Sequence, residues 1–358
     1  MDFRKLQLNG KLQVPSAPLM FFLDLTEHCN LKCFFCYNTS NISKRHAKVE
    51  DVKEILNIMH KAGCNEVIYL GGEPTIYPHL FEVLHHAASL GMKQGLVSNA
   101  QVIDYTLAER LAKIKALEIG ISIHSHDYSI HNALTGNPNS FKNVERAINS
   151  LEENNVCWYS QTSLMKSNYL ELEKMHAYLI ECGSPTRMDL SRMVVGESCS
   201  DEFLGAEEYT EVFKQINSIN TQKLPIRIEA FPRCWLLKLS KKFSLNYNKI
   251  IKSVRPCYAW IGQVSVDIYG NLRLCPTGGK LAGNILIEGI EAIWNNNIIC
   301  KFQSFQWQKT ECLECEDFAF CVGGCKMTCS RISPSPDIYM IEGGFKNARY
   351  PERQSQST

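Results

Sequence analysis

The sequence predicts an α/β fold, a partial barrel of parallel strands followed by a smaller cysteine-rich region. Residues 19–192 alternate short apolar runs with longer segments of helical periodicity, the pattern of consecutive strand and helix units that build a parallel sheet. Six such units can be counted, which is enough for an open barrel. Most of the sixteen cysteines lie towards the two ends of the chain. We therefore expect a partial (β/α)6, TIM-like barrel with a C-terminal cysteine-rich domain.

Short apolar or alternating segments predict the six barrel strands. They are LMFFLDLT (19–26), EVIYL (66–70), KQGLVS (93–98), LEIGISI (117–123), VCWYSQTS (156–163) and RMDLSRM (187–193). Five segments with a helical period follow the first five strands: VEDVKEILNIMHKAG (49–63), PHLFEVLHHAASLG (78–91), YTLAERLAKI (105–114), SFKNVERAINSLEEN (140–154) and YLELEKMHAYLIECG (169–183). Several of them end at Gly or Asn, which are favoured at helix C-termini.

Changes in pattern along the chain predict five segments. These are an N-terminal extension (1–18), the barrel (19–195), a linking region with one helix and one strand (196–255), the cysteine-rich domain (256–330) and a polar C-terminal tail (331–358). About nineteen residues precede the first strand, so we expect no fused domain for recognising a leader peptide.

Charge and hydropathy exclude two classes of partner. The chain has 38 Lys and Arg against 37 Asp and Glu, so no strong overall field attracts nucleic acid. No apolar run approaches the roughly 20 residues needed to cross a bilayer, and the N-terminus lacks the apolar core of a signal peptide. We therefore expect a cytoplasmic protein that binds neither nucleic acid nor membrane.

The cysteines fall into two groups and a scattered remainder. Three lie within eight residues near the N-terminus, and eight lie between Cys257 and Cys329. Disulfides are rare in the cytoplasm, where grouped thiols serve metals or catalysis. The scattered cysteines are interpreted as small buried hydrophobic residues: Cys64, Cys157, Cys182, Cys199 and Cys234.

The first group, in the segment EHCNLKCFFCYN, consists of Cys29, Cys33 and Cys36 at C-x3-C-x2-C spacing after the first strand. Three thiolates can hold a 4Fe-4S cluster while leaving one iron free to bind a small molecule. A zinc knuckle with His28 or His46 as the fourth ligand is the alternative.

This spacing, with an aromatic residue before the third cysteine, resembles the signature of the radical S-adenosylmethionine (radical SAM) superfamily. The resemblance implies a 4Fe-4S cluster on these cysteines, where S-adenosylmethionine is reductively cleaved to a 5'-deoxyadenosyl radical. That radical abstracts a hydrogen atom from the substrate. The resemblance also implies that Phe35 packs against the cofactor and that the backbone at Tyr37 meets its adenine.

Further cofactor contacts are expected at the ends of the next strands. The sequence YLGGEP after the second strand resembles the family's GGEP element, in which two glycines let the backbone approach a ligand and the glutamate accepts an ammonium group. Polar residues that close the third and fourth strands are implied to meet the cofactor's ribose and carboxylate; ordinary turn roles are the alternative. The residues concerned are Gly71, Gly72, Glu73, Ser98, Asn99 and Ser122. Because these strand ends share one rim with the cysteines, one common site is expected.

The second group surrounds a predicted hairpin, VSVDIYGNLRLCP, whose turn is YGN. Its spacing resembles the SPASM domain, an extension that holds auxiliary iron-sulfur clusters in radical SAM enzymes that modify peptides. Zinc-ribbon pairs are the alternative. The resemblance implies a first auxiliary cluster on Cys257, Cys275 and Cys325, to which Cys234 could be added. It implies a second cluster on Cys312, Cys315 and Cys321, with Cys329 in place of the family's more distant cysteine.

The resemblance leads to a functional hypothesis. We expect a maturase that installs an oxidation or a cross-link in a ribosomally synthesised peptide, with a reductant such as flavodoxin or ferredoxin and a separate leader-recognition protein. Sulfatase maturation is disfavoured because Cys275 is followed by Pro276 instead of an acidic residue. The alternatives are a radical dehydrogenase of a sugar or cyclitol alcohol and a non-catalytic iron-sulfur or zinc protein.

Overall fold

The fold is organised around one mixed sheet with helices packed along it. The computed structural model describes residues 7–8, 11–38, 43–193, 200–327, 337 and 339. Its strands are β1 (Gln7–Leu8), β2 (Lys11–Leu12), β3 (Met20–Thr26), β4 (Glu66–Gly71), β5 (Lys93–Ser98), β6 (Leu117–Ser122), β7 (Trp158–Leu164), β8 (Met188–Arg192), β9 (Ile226–Glu229), β10 (Val254–Arg255), β11 (Gln263–Val266), β12 (Asn271–Cys275) and β13 (Gly278–Asn284).

The helices lie mainly between consecutive strands. They are α1 (Val49–Lys61), α2 (Leu80–Ser89), α3 (Tyr105–Ala112), α4 (Tyr128–Thr135), α5 (Ser140–Glu153), α6 (Leu172–Cys182), α7 (Ala206–Ser218), α8 (Arg233–Phe243), α9 (Tyr247–Ser253), α10 (Ile285–Glu288), α11 (Ile290–Trp294), α12 (Asn297–Gln303), α13 (Thr310–Leu313) and α14 (Phe318–Cys321). The five helices expected from periodicity correspond to α1, α2, α3, α5 and α6.

The large sheet has the strand order β10-β9-β8-β7-β6-β5-β4-β3-β11-β12-β13. The six predicted barrel strands are β3 to β8, and they pair in chain order and in parallel, which confirms the predicted fold class. All strands from β10 to β11 run parallel, and β12 and β13 are antiparallel additions.

The sheet is wider than the sequence predicts. The region expected to link two domains supplies β9 and β10, which extend the sheet beyond β8. At the other edge, β11 of the cysteine hairpin pairs with β3, with Gln263 opposite Met20. Unpaired edge strands leave backbone hydrogen-bonding groups open, and both additions cover such an edge. The cysteine hairpin is therefore continuous with the barrel sheet.

The core lies between the sheet and its helices. Phe21, Leu23 and Leu25 of β3 are fully buried, as expected for a parallel strand covered on both faces. In the described part of the chain, no helix is both long and apolar enough to cross a membrane.

Two residues of the expected polar tail are buried, which corrects that expectation at these positions. The Asp337 carboxylate pairs with Arg192 at 2.7 Å and also accepts a hydrogen bond from the backbone N–H of Cys325 at 2.7 Å. Tyr339 stacks on Trp235 with 4.7 Å between ring centroids. The physical reason is that Arg192 is itself buried, and a buried guanidinium needs an anionic partner.

Candidate active site

The loop that follows β3, here called the N-terminal cysteine loop, carries Cys29, Cys33 and Cys36. Its backbone is tied to the end of β4: the N–H of Gly72 donates to the carbonyl of Thr26 at 2.6 Å, and the N–H of Glu73 donates to that of His28 at 2.8 Å. Within the loop, the N–H of Cys36 donates to the carbonyl of Cys33 at 3.1 Å. The GGEP segment therefore forms the platform on which the cysteines sit.

The two glycines of this platform are required by the loop itself. A Cβ on Gly72 would lie 2.0 Å from the carbonyl oxygen of His28, and one on Gly71 would lie 2.3 Å from that of Thr26. Gly71 also has φ +128, which favours glycine. The sequence indicates a close approach here; in the structure a Cβ on Gly71 would meet the end of β3 and a Cβ on Gly72 would meet the N-terminal cysteine loop, and both glycines also line the cavity described below.

Glu73 is a buried carboxylate held by donors of the chain. It accepts hydrogen bonds from the Ser98 hydroxyl at 2.7 Å, the Asn99 N–H at 2.8 Å and the Thr75 N–H at 3.0 Å. Burial raises the pKa of Glu73, and these hydrogen bonds oppose that effect. Ser98 is thus placed beneath Glu73, where its side chain is 1% exposed.

A single cavity of about 1040 Å³ joins the predicted residues. Its lining includes the N-terminal cysteine loop and almost all of the residues predicted to bind the cofactor, namely Phe35, Tyr37, Gly71, Gly72, Glu73, Asn99 and Ser122. Ser98 is the predicted residue that does not line it. The same cavity reaches Cys257, Cys275 and Cys325, here called the hairpin cysteine set. Both groups of cysteines therefore face one space.

The N-terminal thiols suit an iron-sulfur cluster. Burial raises the pKa of Cys29 to about 11 and that of Cys33 to about 12, and mutual repulsion with Cys36 adds to both shifts. The Sγ of Cys29 is 3.5 Å from the N–H of Leu31 and 3.7 Å from Nδ2 of Asn99. Sheltered thiols with N–H donors are the environment in which a cluster is bound and its potential is tuned.

The hairpin cysteine set lies among buried cations. Burial raises the pKa of Cys275 to about 11, with Cys257 contributing repulsion. The ammonium of Lys326, which is 1% exposed, donates to the carbonyl of Cys257 at 2.6 Å. Burial raises the pKa of Cys325; the guanidinium of Arg192 opposes that shift, and its ion-pair partner Asp337 adds to it. The ammonium of Lys326 beside these thiols fits an anionic iron-sulfur cluster.

The remaining cysteines are placed differently from the expectation. Cys312, Cys315 and Cys321, here called the C-terminal loop set, interact electrostatically with Cys234. Cys329 and Cys199 lie outside the described residues. Of the scattered cysteines, Cys64 is buried as expected, whereas Cys157 and Cys234 are exposed and Cys182 is intermediate.

Charged residues that the sequence did not single out line the barrel side of the cavity. Arg187, Arg227 and Arg255 come from three separate strand regions, and Arg187 pairs with Glu118 at 2.6 Å. Burial, together with repulsion from Arg187 and Arg255, lowers the pKa of Arg227. Among the described residues, neither Arg227 nor Arg255 has a carboxylate within ion-pair distance. Apolar and charged residues alternate in IRIE (226–229), which puts Arg227 and Glu229 on one face of β9. This alternation is the sequence pattern from which these cavity residues could have been predicted.

Two neighbouring buried histidines, His124 and His131, lie near Phe35, and 4.8 Å separates the ring centroids of His124 and Phe35. The rings of His124 and His131 stack at 5.7 Å, and burial lowers their pKa values to about 3 and about 4. Nδ1 of His131 accepts from the backbone N–H of His124 at 3.2 Å, and its Nε2 is 3.1 Å from the Ser140 hydroxyl. Both are neutral structural residues at neutral pH.

Comparison with known proteins identifies the domain that carries the first site. Residues 23–179, which contain the N-terminal cysteine loop and the GGEP segment, match the Radical SAM superfamily. This superfamily binds S-adenosylmethionine and a 4Fe-4S cluster, as the resemblance implied.

Other similar proteins extend beyond this domain. AdoMet-dependent heme synthase of Methanosarcina barkeri is 21% identical, over 87% of this chain and 92% of its own. Mycofactocin maturase MftC of Mycobacterium tuberculosis is 21% identical, over 94% of this chain and 86% of its own. The crystal structure of Streptococcus suis SuiB bound to precursor peptide SuiA matches with a TM-score of 0.73 at 20% identity, covering 94% of this chain and 77% of SuiB. The shared fold thus includes the cysteine-rich C-terminal region.

Proposed function

We propose that this radical SAM enzyme oxidises or cross-links a ribosomally synthesised peptide. The observation that carries the proposal is the single cavity lined by both the N-terminal cysteine loop and the hairpin cysteine set. When bound, the cluster and S-adenosylmethionine supply a 5'-deoxyadenosyl radical that abstracts hydrogen. Net oxidation then requires an electron acceptor near the same substrate, and thiols suited to an iron-sulfur cluster line the opposite part of the cavity.

Related proteins support a peptide substrate. The cavity of about 1040 Å³ would hold S-adenosylmethionine and the cluster on the N-terminal cysteine loop together with the reacting part of the substrate. SuiB, whose crystal structure contains a bound precursor peptide, shares the fold over most of this chain. MftC, a maturase, is similar in sequence over most of this chain. We infer a peptide segment that enters the cavity, with recognition of any leader by a separate protein and electrons from a flavodoxin or ferredoxin.

The charge of the cavity supports a substrate with a carboxylate. Arg227 and Arg255 face the cavity and repel each other. Asp189 and Glu118 offset part of that repulsion at Arg227, and an acidic side chain or a C-terminal carboxylate of the substrate would offset more of it. Glu229 opens onto the same space, and desolvation, with repulsion from Asp189 and against the attraction of Arg192, raises its pKa to about 7. A carboxyl with that pKa can accept a proton near neutral pH.

The decisive experiment is co-expression with small peptides encoded beside the gene, followed by mass spectrometry for the loss of two hydrogens. The isolated enzyme is also reconstituted anaerobically and assayed for 5'-deoxyadenosine with dithionite and S-adenosylmethionine. Replacing Cys29, Cys33 and Cys36 together by Ala should abolish both products. Replacing Cys257 and Cys275 by Ala should retain 5'-deoxyadenosine and lose the peptide product. An unaltered set of neighbouring peptides would reject the peptide hypothesis.

A small anionic molecule is the second candidate substrate. It is favoured by the match to AdoMet-dependent heme synthase, which extends over 87% of this chain, and by the same arginine-lined cavity. The two candidates differ in the assay, because a small substrate would increase 5'-deoxyadenosine formation without any peptide. Modification of an added haem precursor with no peptide change would favour this alternative.

A further inference from the structure

The N-terminal end of α8 is fixed onto the cysteine-bearing loop that leads into α14. The backbone N–H of Arg233 donates to Sγ of Cys321 at 3.3 Å. Its guanidinium pairs with Asp317 at 2.9 Å and lies 5.2 Å from the ring centroid of Phe320. Three contacts of one residue therefore hold the start of α8 against this loop.

Cys234 is the next residue after Arg233, so this docking brings its thiol to the C-terminal loop set. The three thiols of that set, Cys312, Cys315 and Cys321, are within electrostatic range of Cys234.

The loop arranges three of the four thiols by itself. The N–H of Cys315 donates to the carbonyl of Cys312 at 3.2 Å, which places both on one turn. The N–H of Cys321 donates to the carbonyl of Asp317 at 2.9 Å, which fixes Cys321 at the end of α14. A closed 4Fe-4S site needs one more thiolate, and α8 presents one next to the donor that contacts Cys321.

We propose that Cys234 is the fourth thiolate of a second auxiliary iron-sulfur site formed with Cys312, Cys315 and Cys321. The assignment differs from the sequence prediction, which placed Cys234 with the hairpin cysteine set and completed this site with Cys329. It also gives α8 a function: the helix supplies a ligand, an N–H donor to a ligand sulfur, and the positive end of its dipole. The assignment does not depend on the identity of the substrate.

The test counts iron and sulfide in the full-length protein, purified and reconstituted anaerobically, and records its absorption and Mössbauer spectra. Three complete sites predict about twelve iron atoms per chain. Cys234→Ala should lose up to about four of them or convert one iron of this cluster into a distinct Mössbauer site, because the iron that Cys234 binds would lose its thiolate. Cys329→Ala should retain the wild-type content. The matched control is Cys300→Ala, which removes an exposed thiol outside all three groups.

Folding of the variant is checked independently of the second site. Retained 5'-deoxyadenosine formation by Cys234→Ala would show that the barrel and its N-terminal cysteine loop are intact. If that activity is lost, Cys234→Asp decides, because a carboxylate can bind iron and should restore most of the iron. Wild-type iron and spectra in Cys234→Ala, with loss in Cys329→Ala, would overturn the assignment. Zinc in place of iron at these four thiols would overturn it as well.

Discussion

The two cysteine regions of this enzyme are assembled in different ways. The N-terminal cysteine loop brings three thiols together within eight residues, and its shape is fixed by contacts with the adjacent Gly71 and Gly72. The hairpin cysteine set instead joins a residue before β11, one at the end of β12 and one after α14. Close spacing in the sequence therefore identifies cluster ligands when a single loop carries all of them. When the ligands come from distant segments, only the packing of those segments shows which cysteines belong together.

The largest expected effect tests the local region. Gly72→Ala would put a Cβ 2.0 Å from the carbonyl of His28 and displace the N-terminal cysteine loop. We expect complete loss of 5'-deoxyadenosine formation and loss of about four irons, with the remaining irons retained. The matched control is Gly63→Ala, where nothing lies within 4 Å of the new Cβ. An active Gly72→Ala enzyme would show that the loop does not depend on this platform.

The next effect tests how the distant segments are joined. Asp337→Asn removes the buried partner of Arg192 while keeping an acceptor for the N–H of Cys325. Breaking a buried ion pair costs about 3–5 kcal/mol, so urea unfolding should show a lower free energy of unfolding by roughly that amount. Glu109→Gln, which breaks an exposed pair with Lys113, should cost less than about 1 kcal/mol. An equal decrease in the free energy of unfolding in the two variants would contradict a role of the buried Asp337–Arg192 pair in joining these segments.

A smaller effect depends on pH and belongs to the barrel beneath the N-terminal cysteine loop. Burial lowers the folded-state pKa of His131 from 6.5 to about 4, so its contribution to stability is present above pH 6.5 and is lost as the pH falls towards 4. The wild-type free energy of unfolding should therefore fall by about 1.4 kcal/mol per pH unit from this group. His131→Gln should lack that part of the slope in urea unfolding between pH 7 and 5. An unchanged slope would show that His131 is not protonated on unfolding.

The smallest effect concerns thiols outside the three groups. Cys157→Ser and Cys300→Ser change exposed residues and should leave iron content and 5'-deoxyadenosine formation unchanged. Iron analysis and chromatography check this expectation. Loss of iron in either variant would show that an exposed cysteine outside both regions is also a cluster ligand.

Local pattern was enough for much of the fold and of the first site. The apolar segments from β3 to β8 and the helices between them were predictable because parallel strands and amphipathic helices have distinct periods. The residues on the rim were predictable because strand ends converge in such a sheet. The arginines of the cavity were not, since Arg187, Arg227 and Arg255 look like ordinary charges until three strands are placed side by side.

The sequence by itself was enough to indicate the similarity of residues 23–179 to the Radical SAM superfamily, because the residues of the C-x3-C-x2-C and GGEP motifs lie close together in the chain. The tertiary structure alone decided that β9 and β10 extend the sheet, that Asp337 is buried against Arg192, and that Cys234 lies beside the C-terminal loop set. These features arise from contacts between residues far apart in the chain, and spacing along a sequence carries no information about which distant segments will meet.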